Sequence, residues 1–179
     1  HLAYVGGATF NKRDGLIAGD EDGAIAFDGA ASGQYAQGDL PTVSLGSHVW
    51  EFAVDGSGAT IGTAVYAEGS STAASLTISV NFNSGNVTVD WTDDAGNFDS
   101  SNTIGSGVDV GDDNPHVIAF KYDSAVGDLL LFIDGVDRTT TTGNRTGKTL
   151  SMRRLRLGGT SYVATLDEVL LYTSALSAA

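Results

Sequence analysis

Apolar and polar residues alternate with a period of two along most of this chain, which is the pattern of half-buried β-strands. In the segment SHVWEFAVD, Trp50, Phe52 and Val54 share one face, and His48 lies on that face nearer the start of the run. Eight further segments repeat the alternation, namely residues 24–29, 60–69, 75–82, 86–91, 115–123, 128–135, 153–159 and 164–174. The pattern therefore predicts nine strands and gives no convincing helix.

Turn-forming residues separate the predicted strands. The segment NSGN at 83–86 links two alternating runs, Asp134-Gly135 is typical of primed hairpin turns, and residues 123–128 enclose a short connection with a glycine. Two longer, weakly patterned stretches, 92–114 and 139–149, are polar, and loops of this length are commonly functional in all-β domains. We therefore predict a two-sheet antiparallel β-sandwich or jelly roll, with a closed barrel as the alternative.

The composition agrees with one folded domain. A length of 179 residues fits a single unit over 1–179, and 41% apolar residues supply a core. The 24 glycines beside 2 prolines suit short strands with tight turns, and because there is no cysteine the fold does not depend on disulfides. No apolar run approaches the roughly 20 residues needed to span a bilayer, so we predict no membrane insertion.

The charge is strongly acidic, with 22 acidic against 9 basic residues and a formal net charge of −13. Binding to nucleic acid is therefore not expected, because it relies on Lys and Arg neutralising phosphates. The one basic concentration, Arg153, Arg154 and Arg156 in MRRLRL, is interpreted as a set of internal ion-pair partners. Such acidity suits an extracellular or virion surface, a saline habitat, or sites for divalent cations.

Three segments carry a resemblance to a known family. HVIAFKYDSAVGDLLLFIDGVD at 116–137 is similar to the central hairpin of laminin-G-like, concanavalin-A-like jelly-roll domains. LRLGGTSYVATLDEVLLYTSALS at 155–177 resembles the ending of those domains, with its final D-E-V strand. The start at 4–29, with Y-x-G-G before a strand ending F-D-G, resembles the phage and bacterial surface-protein branch. The resemblance implies an all-β, two-sheet jelly roll.

The amino-terminal residue His1 raises a separate hypothesis. A terminal His can chelate copper through its amine and its ring, which would indicate an oxidative enzyme. The resemblance argues against this, because a further strand usually precedes the Y-x-G-G segment in the family. We therefore expect the chain to be part of a longer polypeptide, with His1 at an interior junction.

Catalytic patterns are weak in this sequence. Glycosidases of related jelly rolls need two carboxylates about 5 to 9.5 Å apart on one strand face, and their E-x-D-x-x-E pattern is absent. Glu51 and Asp55 are four residues apart, with Asp55 at a strand end, and the adjacent Asp167 and Glu168 would point to opposite faces. No serine elbow, zinc motif or phosphate loop occurs. We predict a protein that is not an enzyme, and a divergent polysaccharide hydrolase is disfavoured.

A calcium site is implied by the resemblance. Related domains often hold a structural Ca²⁺ between an early loop and the final D-E strand, which corresponds to Asp20, Asp22 and Asp167 in this sequence. Carboxylate and carbonyl oxygens are the ligands that Ca²⁺ prefers. The alternative is that GDEDG forms a solvated turn and Asp167 caps a strand. Asp93-Asp94 and residues 112–114 are weaker candidates.

Sugar recognition needs exposed aromatic faces and planar polar groups near a rim of loops. Trp91, Asn97, Phe98 and Tyr162 lie at such places, and Trp91 is the best candidate for a platform, with packing at the edge of the core as its alternative. Trp50, by contrast, belongs to the buried face of its strand.

Together these features predict a non-catalytic adhesion module of a larger extracellular, cell-surface or virion protein. It would bind carbohydrate or a surface protein through edge loops, with calcium assisting. The alternative is a structural capsid or tail protein that makes only protein contacts, including contacts with further copies of itself.

Overall fold

The computed structural model describes residues 3–5, 24–28, 35–56, 61–70, 74–81, 86–99, 103–104, 110–139, 146–159 and 163–174. Within these ranges the ordered elements are β-strands alone. In chain order they are β1 (Ala3–Val5), β2 (Ile25–Asp28), β3 (Tyr35–Leu45), β4 (His48–Asp55), β5 (Ile61–Gly69), β6 (Ser75–Asn81), β7 (Asn86–Thr92), β8 (Phe98–Asp99), β9 (Thr103–Ile104), β10 (His116–Asp123), β11 (Asp128–Ile133), β12 (Val136–Asp137), β13 (Leu150–Leu157) and β14 (Val163–Tyr172). In this part of the chain, no helix has the length and apolar character needed to cross a membrane.

The strands form two antiparallel sheets. The eight-stranded sheet has the order β1-β3-β13-β5-β6-β7-β8, with β9 also paired to β7. The six-stranded sheet has the order β12-β11-β10-β4-β14-β2. The late strands β13 and β14 each lie between two early strands, so most of the pairing is between distant parts of the sequence. The predicted two-sheet antiparallel β-sandwich is confirmed.

The core lies between the two sheets and follows the alternation in the sequence. On β4, His48, Trp50, Phe52 and Val54 are all fully buried, as their shared parity predicts. The neighbouring strand β10 contributes Ile118, Phe120 and Tyr122 in the same way. Burying such large apolar side chains stabilises the fold by about 1.5 to 3 kcal/mol each relative to leaving them exposed. The inner faces of both sheets belong to one hydrophobic cluster.

Strand β3 is the main element that the alternation did not predict. Its segment YAQGDLPTVSL contains Gly38 and Pro41, and residues 39–42 are exposed. The register against β13 shifts between Met152 and Arg154, opposite the part of β3 that holds Pro41. A proline cannot donate to a ladder, so it is tolerated at such an irregularity. The short strands β8 and β9 likewise lie in the predicted loop 92–114.

The predicted primed turn is present between β11 and β12. Asp134 has φ 52° and Gly135 has φ 74°, and positive φ at both central residues defines a type I′ turn. A second local irregularity lies in β14, where the register shifts between Asp167 and Leu170 and Glu168 has φ 47°. This bulge falls on the D-E pair in the segment that carried the resemblance.

Candidate functional site

The outward side of the eight-stranded sheet is polar across its centre, and we call this surface the polar face. On β6 and β7 the inward residues are buried and apolar: Leu76, Ile78, Val80, Val87, Val89 and Trp91. The outward residues of these two strands are half-buried and polar, namely Ser75, Thr77, Ser79, Asn81, Asn86, Thr88 and Asp90. Hydroxyl, amide and carboxylate groups thus cover a surface without apolar interruption on these strands.

One row of paired residues crosses the polar face. Gln37, Arg156, Tyr66, Thr77 and Asp90 are cross-strand neighbours on β3, β13, β5, β6 and β7. Adjacent strands lie about 4.8 Å apart, so the row spans about 19 Å. It is long enough to contact several consecutive sugar rings.

Arg156 lies close to two tyrosine rings, those of Tyr66 in this row and of Tyr35 on β3. Its guanidinium carbon is 5.2 Å from the ring centroid of Tyr35 and 5.6 Å from that of Tyr66, within the range of cation–π contact. Its Nε donates a hydrogen bond of 2.7 Å to Oε1 of Gln37. The Arg156 side chain keeps 35% of its surface exposed. The polar face therefore presents a positioned cation with aromatic flanks to solvent.

Beside Arg156, two other arginines form ion pairs across three strands. Arg154 lies between Asp39, with Nε 2.6 Å from Oδ1, and Glu68, with Nη1 3.3 Å from Oε2. Arg153 pairs with Glu68. The hydrogen bond from Arg154 lowers the pKa of Asp39, and the hydrogen bond from Arg153 is the main cause that lowers the pKa of Glu68. The predicted ion pairing of the basic segment is confirmed.

A groove lies at the end of the polar face where β7 ends and β13 begins. We call it the loop groove; its volume is about 330 Å³. Its lining residues are Asp93, Asp94, Ala95, Asn97, Thr146, Gly147, Lys148 and Thr149. Asp93 directly follows Thr92, which pairs with Ser75 on the polar face, so the groove continues that surface. Asn97, predicted as a ligand-binding residue, lies in this groove.

The two aspartates of the loop groove are engaged in fixing the loops. Both carboxylate oxygens of Asp94 lie 2.9 Å from the amide nitrogen of Ser151, and Oδ2 also accepts bonds from the hydroxyls of Ser151 and Thr149. Asp93 accepts bonds from the backbone and side-chain nitrogens of Asn97 at 2.8 and 3.0 Å. Burial opposes ionisation of Asp93, but the Asn97 bonds and the charge of Lys148 outweigh it and lower its pKa. Both carboxylates are thus held as structural acceptors.

Trp91 lies beneath the loop groove, in the core. Its ring is 3% exposed and meets the ring of Tyr122 edge-on at 4.4 Å and that of His48 at 5.3 Å. Tyr122 in turn accepts a hydrogen bond of 3.1 Å from the amide of Lys148 through its hydroxyl. Trp91 does not present the exposed ring that a sugar platform requires, so this part of the predicted site is wrong and the core-packing alternative describes its position.

The other predicted site residues are distributed as follows. Phe98 lies in β8, where the structure describes its backbone only, and Tyr162, Asp20 and Asp22 fall outside the described residues. Asp167 is buried, 7% exposed, and its Oδ1 accepts a bond from the amide of Glu168 at 3.1 Å. Among the described residues no group of three or more potential metal ligands is found. The predicted calcium site is represented here by Asp167 alone.

The weaker metal candidate at 112–114 takes part in a histidine clamp. His116 Nδ1 is 2.8 Å from Oδ2 of Asp134, and Nε2 is 3.0 Å from Oδ1 of Asp112. Asp112 also accepts a bond from the amide of Asn114 at 3.0 Å. The carboxylate of Asp112 is therefore engaged in hydrogen bonds to His116 and Asn114.

Sequence reasoning missed the row of Gln37, Tyr66 and Thr77 on the polar face. The signal was present in the outward positions of the alternating runs, which are uniformly polar on β6 and β7. It could not be assembled from sequence, because the row depends on the order β3-β13-β5, which joins distant segments.

Comparison with known proteins shows the fold. No protein-family model and no curated protein sequence matches the chain. A heptameric SAP-like pentraxin from Limulus polyphemus superposes with a TM-score of 0.66 at 12% identity, over 86% of this chain and 77% of the other. Mouse laminin α1 domains LG4-5 give a TM-score of 0.63 at 16% identity, over 95% and 46%. Domain 4 of AbnA, a GH43 extracellular arabinanase from Geobacillus stearothermophilus, in complex with arabinotriose, gives 0.60 at 18% identity, over 99% and 77%.

These likenesses establish a concanavalin-A-like jelly-roll sandwich, as the resemblance in the sequence implied. At such low identities they establish the fold only. The function must be inferred from the residues of this chain.

Proposed function

We propose that this chain is a non-catalytic recognition module that binds carbohydrate on the polar face and in the adjoining loop groove. The observation that carries the proposal is the row of Gln37, Arg156, Tyr66, Thr77 and Asp90, which offers planar polar groups, a hydroxyl and an aromatic ring along one line. Sugar rings combine hydroxyls with weakly apolar faces, so a surface of this composition can satisfy both. The arabinotriose complex of domain 4 of AbnA supports sugar binding on the same fold.

The arrangement of carboxylates supports a non-catalytic role. Glu51 and Asp55 lie on the same outer face of the six-stranded sheet, opposite Leu170 and Thr165. Four strand residues span about 13 Å, beyond the separation that glycoside hydrolysis uses. On the polar face, Glu68 and Asp39 are occupied by arginines. Among the described residues, these groups are not placed as an acid and base pair.

A calcium ion held by Asp20, Asp22 and Asp167 remains part of the proposal. The buried carboxylate of Asp167 at the β14 bulge is of the right chemistry for Ca²⁺. Calcium would fix loops at an edge of the sandwich. The melting temperature measured in calcium and in EDTA tests this, with Asp167→Asn as the variant; an equal melting temperature of the wild type in both solutions removes the site.

We place the module in a larger extracellular, cell-surface or virion protein, where adhesion would be its task. The acidic surface suits such a setting. The arabinanase AbnA, whose domain 4 has this fold, is extracellular, which supports the same setting for this chain.

The decisive experiment is binding to an array of glycans and cell-envelope polysaccharides, run in calcium and in EDTA. We expect a sugar signal for the wild type that falls about five- to thirtyfold in Tyr66→Ala, since stacking and hydroxyl contacts of one aromatic residue are worth about 1 to 2 kcal/mol. Tyr172→Ala is the matched control, because Tyr172 is a half-buried tyrosine on the outer face of the other sheet. Absence of any glycan signal, or equal losses in both variants, contradicts the proposal.

A second candidate function is a structural module that makes protein contacts only. It is favoured by the outer face of the six-stranded sheet, where a cross-strand row holds Phe132, Ala119, Glu51 and Leu170. Leu170 is 37% exposed, and exposed apolar side chains on an outer sheet face are suited to protein interfaces. Sedimentation of the wild type and of Phe132→Ser tests it, with concentration-dependent assembly that is lost in the variant as the supporting result.

A further inference from the structure

We propose that Arg156 binds a carboxylate group of an acidic polysaccharide in which charged sugars are separated by neutral ones. The inference rests on the proposed carbohydrate function and names the chemistry of its ligand. It follows from the charge count around Arg156, from the unused donors of its guanidinium, and from the two aromatic rings beside it.

The ion-pair cluster on the polar face carries one cation more than it has anions. Three guanidinium groups, those of Arg153, Arg154 and Arg156, share the two carboxylates of Glu68 and Asp39. Arg153 and Arg154 make the hydrogen-bonded pairs. Arg156 is left with the longest separation, 3.8 Å from its Nη2 to Oε2 of Glu68. The excess positive charge of the cluster therefore resides at Arg156.

The guanidinium of Arg156 has donors to spare. A guanidinium offers five N–H groups in a planar fork that matches a carboxylate. The Nε–H of Arg156 is used by the amide oxygen of Gln37, which is neutral and does not cancel the charge. Among the described residues, its two terminal nitrogens have no acceptor within hydrogen-bond distance. The side chain is 35% exposed, so a ligand can approach this edge of the fork.

The rings of Tyr35 and Tyr66 should make anion binding at Arg156 tighter and more selective than at an isolated surface arginine. Both rings lie within cation–π distance of the guanidinium and hold it in place, so less rotamer entropy is lost on binding. They also displace water from its sides, which strengthens a charge-assisted hydrogen bond to an incoming anion. The flanking rings and the row toward Thr77 and Asp90 then provide contacts for neutral sugars.

The net charge of the whole chain limits which polyanion can bind. At −13, the protein repels a densely charged polymer at long range, while the single excess cation attracts one carboxylate locally. A chain with isolated carboxylates suits this balance, because each repeat brings one anion to Arg156 and neutral rings to the rest of the polar face. Densely sulfated polymers are therefore not the expected ligand.

The test compares one glucuronate-containing oligosaccharide that has a single carboxylate per repeat with its carboxyl-reduced, neutral form. Calorimetric titration of the full chain is expected to show about tenfold or more tighter binding of the carboxylate form, since a hydrogen bond to a charged group contributes that much. In Arg156→Gln the ratio of the two affinities should fall to about one. Arg156→Lys should keep part of the preference, because it keeps the charge and loses the fork.

Lys121→Gln is the matched control, since it removes one positive charge from a half-buried position on the outer face of the other sheet, paired with Val49 and away from the arginine cluster. It should keep most of the preference. Melting curves check that each variant is folded. In the wild type, the Nη–H resonances of Arg156 should shift with the carboxylate form and much less with the neutral one, which keeps the proposal testable without any variant.

Three outcomes overturn the inference in distinguishable ways. Equal affinity of the wild type for the two forms rejects the carboxylate preference and leaves the carbohydrate function standing. Equal loss of preference in Lys121→Gln and Arg156→Gln shows a general charge effect and rejects the specific site. No binding of either form together with silence on the whole glycan array rejects both the inference and the proposed function.

Discussion

His116 and Asp134 tie the start of β10 to the turn between β11 and β12, with Nδ1 of the imidazole 2.8 Å from Oδ2 of the carboxylate. The same carboxylate accepts the amide hydrogen of Val117 through Oδ1 at 2.9 Å, so Asp134 holds its own turn and the histidine together. Burial disfavours the charged imidazole, but the bonds to Asp134 and Asp112 outweigh burial and raise the pKa of His116. The clamp is thus an ion pair whose strength depends on pH.

The first prediction concerns the pH dependence of this clamp. Because the folded-state pKa of His116 is raised, the stability it contributes is fully present below its ordinary pKa of 6.5 and is lost as pH rises through the folded value. The difference in free energy of unfolding between the wild type and His116→Gln should be largest near pH 5.5 and should shrink toward pH 9. Urea unfolding at several pH values measures it, and a difference that stays constant across this range contradicts the charged clamp.

The second prediction concerns His48, which behaves in the opposite way. Its Nδ1 donates to the carbonyl of Gly46 at 2.8 Å, so Nε2 carries no proton, and this buried atom has no hydrogen-bond partner. Burial lowers the pKa of His48 to about 4, while the bond to Gly46 opposes the shift. Stability is therefore present above pH 6.5 and is lost as pH falls toward 4, by an amount on the order of 3 kcal/mol.

His48→Phe tests this interpretation because it removes the titrating group and keeps an aromatic ring. We expect the decline in free energy of unfolding between pH 6.5 and pH 4 to become shallower in this variant, whatever its stability at pH 7. His116→Gln serves as the control and should retain the decline. Identical slopes for the wild type and His48→Phe would show that other groups cause the acid sensitivity.

The third prediction compares two glycines with the same backbone conformation. Gly158 and Gly147 both have φ of 76°. A Cβ on Gly158 would lie 2.5 Å from the ring of the buried Phe27, whereas a Cβ on Gly147 would meet nothing within 4 Å. Gly147→Ala should cost about 1 kcal/mol for the left-handed conformation, and Gly158→Ala should cost about 1 to 3 kcal/mol more because the ring must move. Thermal denaturation of both variants measures the difference, and equal costs would show that Phe27 yields freely.

The alternation in the sequence predicted much of the fold, whereas part of the site was misassigned on other grounds. Trp91 has the same parity on β7 as the buried Val87 and Val89, so the pattern itself placed it in the core. Its position before a long polar loop suggested an exposed ring. Local sequence does not show that the ring packs edge-on against Tyr122, whose hydroxyl accepts a hydrogen bond from the amide of Lys148. Likewise, the arginines of β13 were predicted to pair, but their partners depend on a strand order that joins distant segments.

Strand β3 shows why the remaining part was not predictable. Its alternation is broken by Gly38 and Pro41, so local propensity argues against a strand. Pairing with β1 on one side and β13 on the other supplies the ladder that stabilises it. Tertiary pairing therefore overrides the local signal, and with β3 come Tyr35, Gln37 and Asp39, the residues that surround the arginines.

The last prediction concerns Asp94, which joins the two loops of the groove. Its carboxylate accepts the amide and hydroxyl hydrogens of Ser151 at 2.9 Å, and its own amide donates to the carbonyl of Thr149 at 3.0 Å. Asp94→Ala should lower the free energy of unfolding by about 1 to 3 kcal/mol, because the part-buried amide of Ser151 loses its acceptor. Asp94→Asn keeps one oxygen and should lose less. Hydrogen exchange at the Ser151 amide gives the specific readout. Because β13 also carries Arg156, faster exchange at Ser151 should be accompanied by weaker sugar binding. Unchanged protection of Ser151 in Asp94→Ala would mean that the loops are held by other contacts.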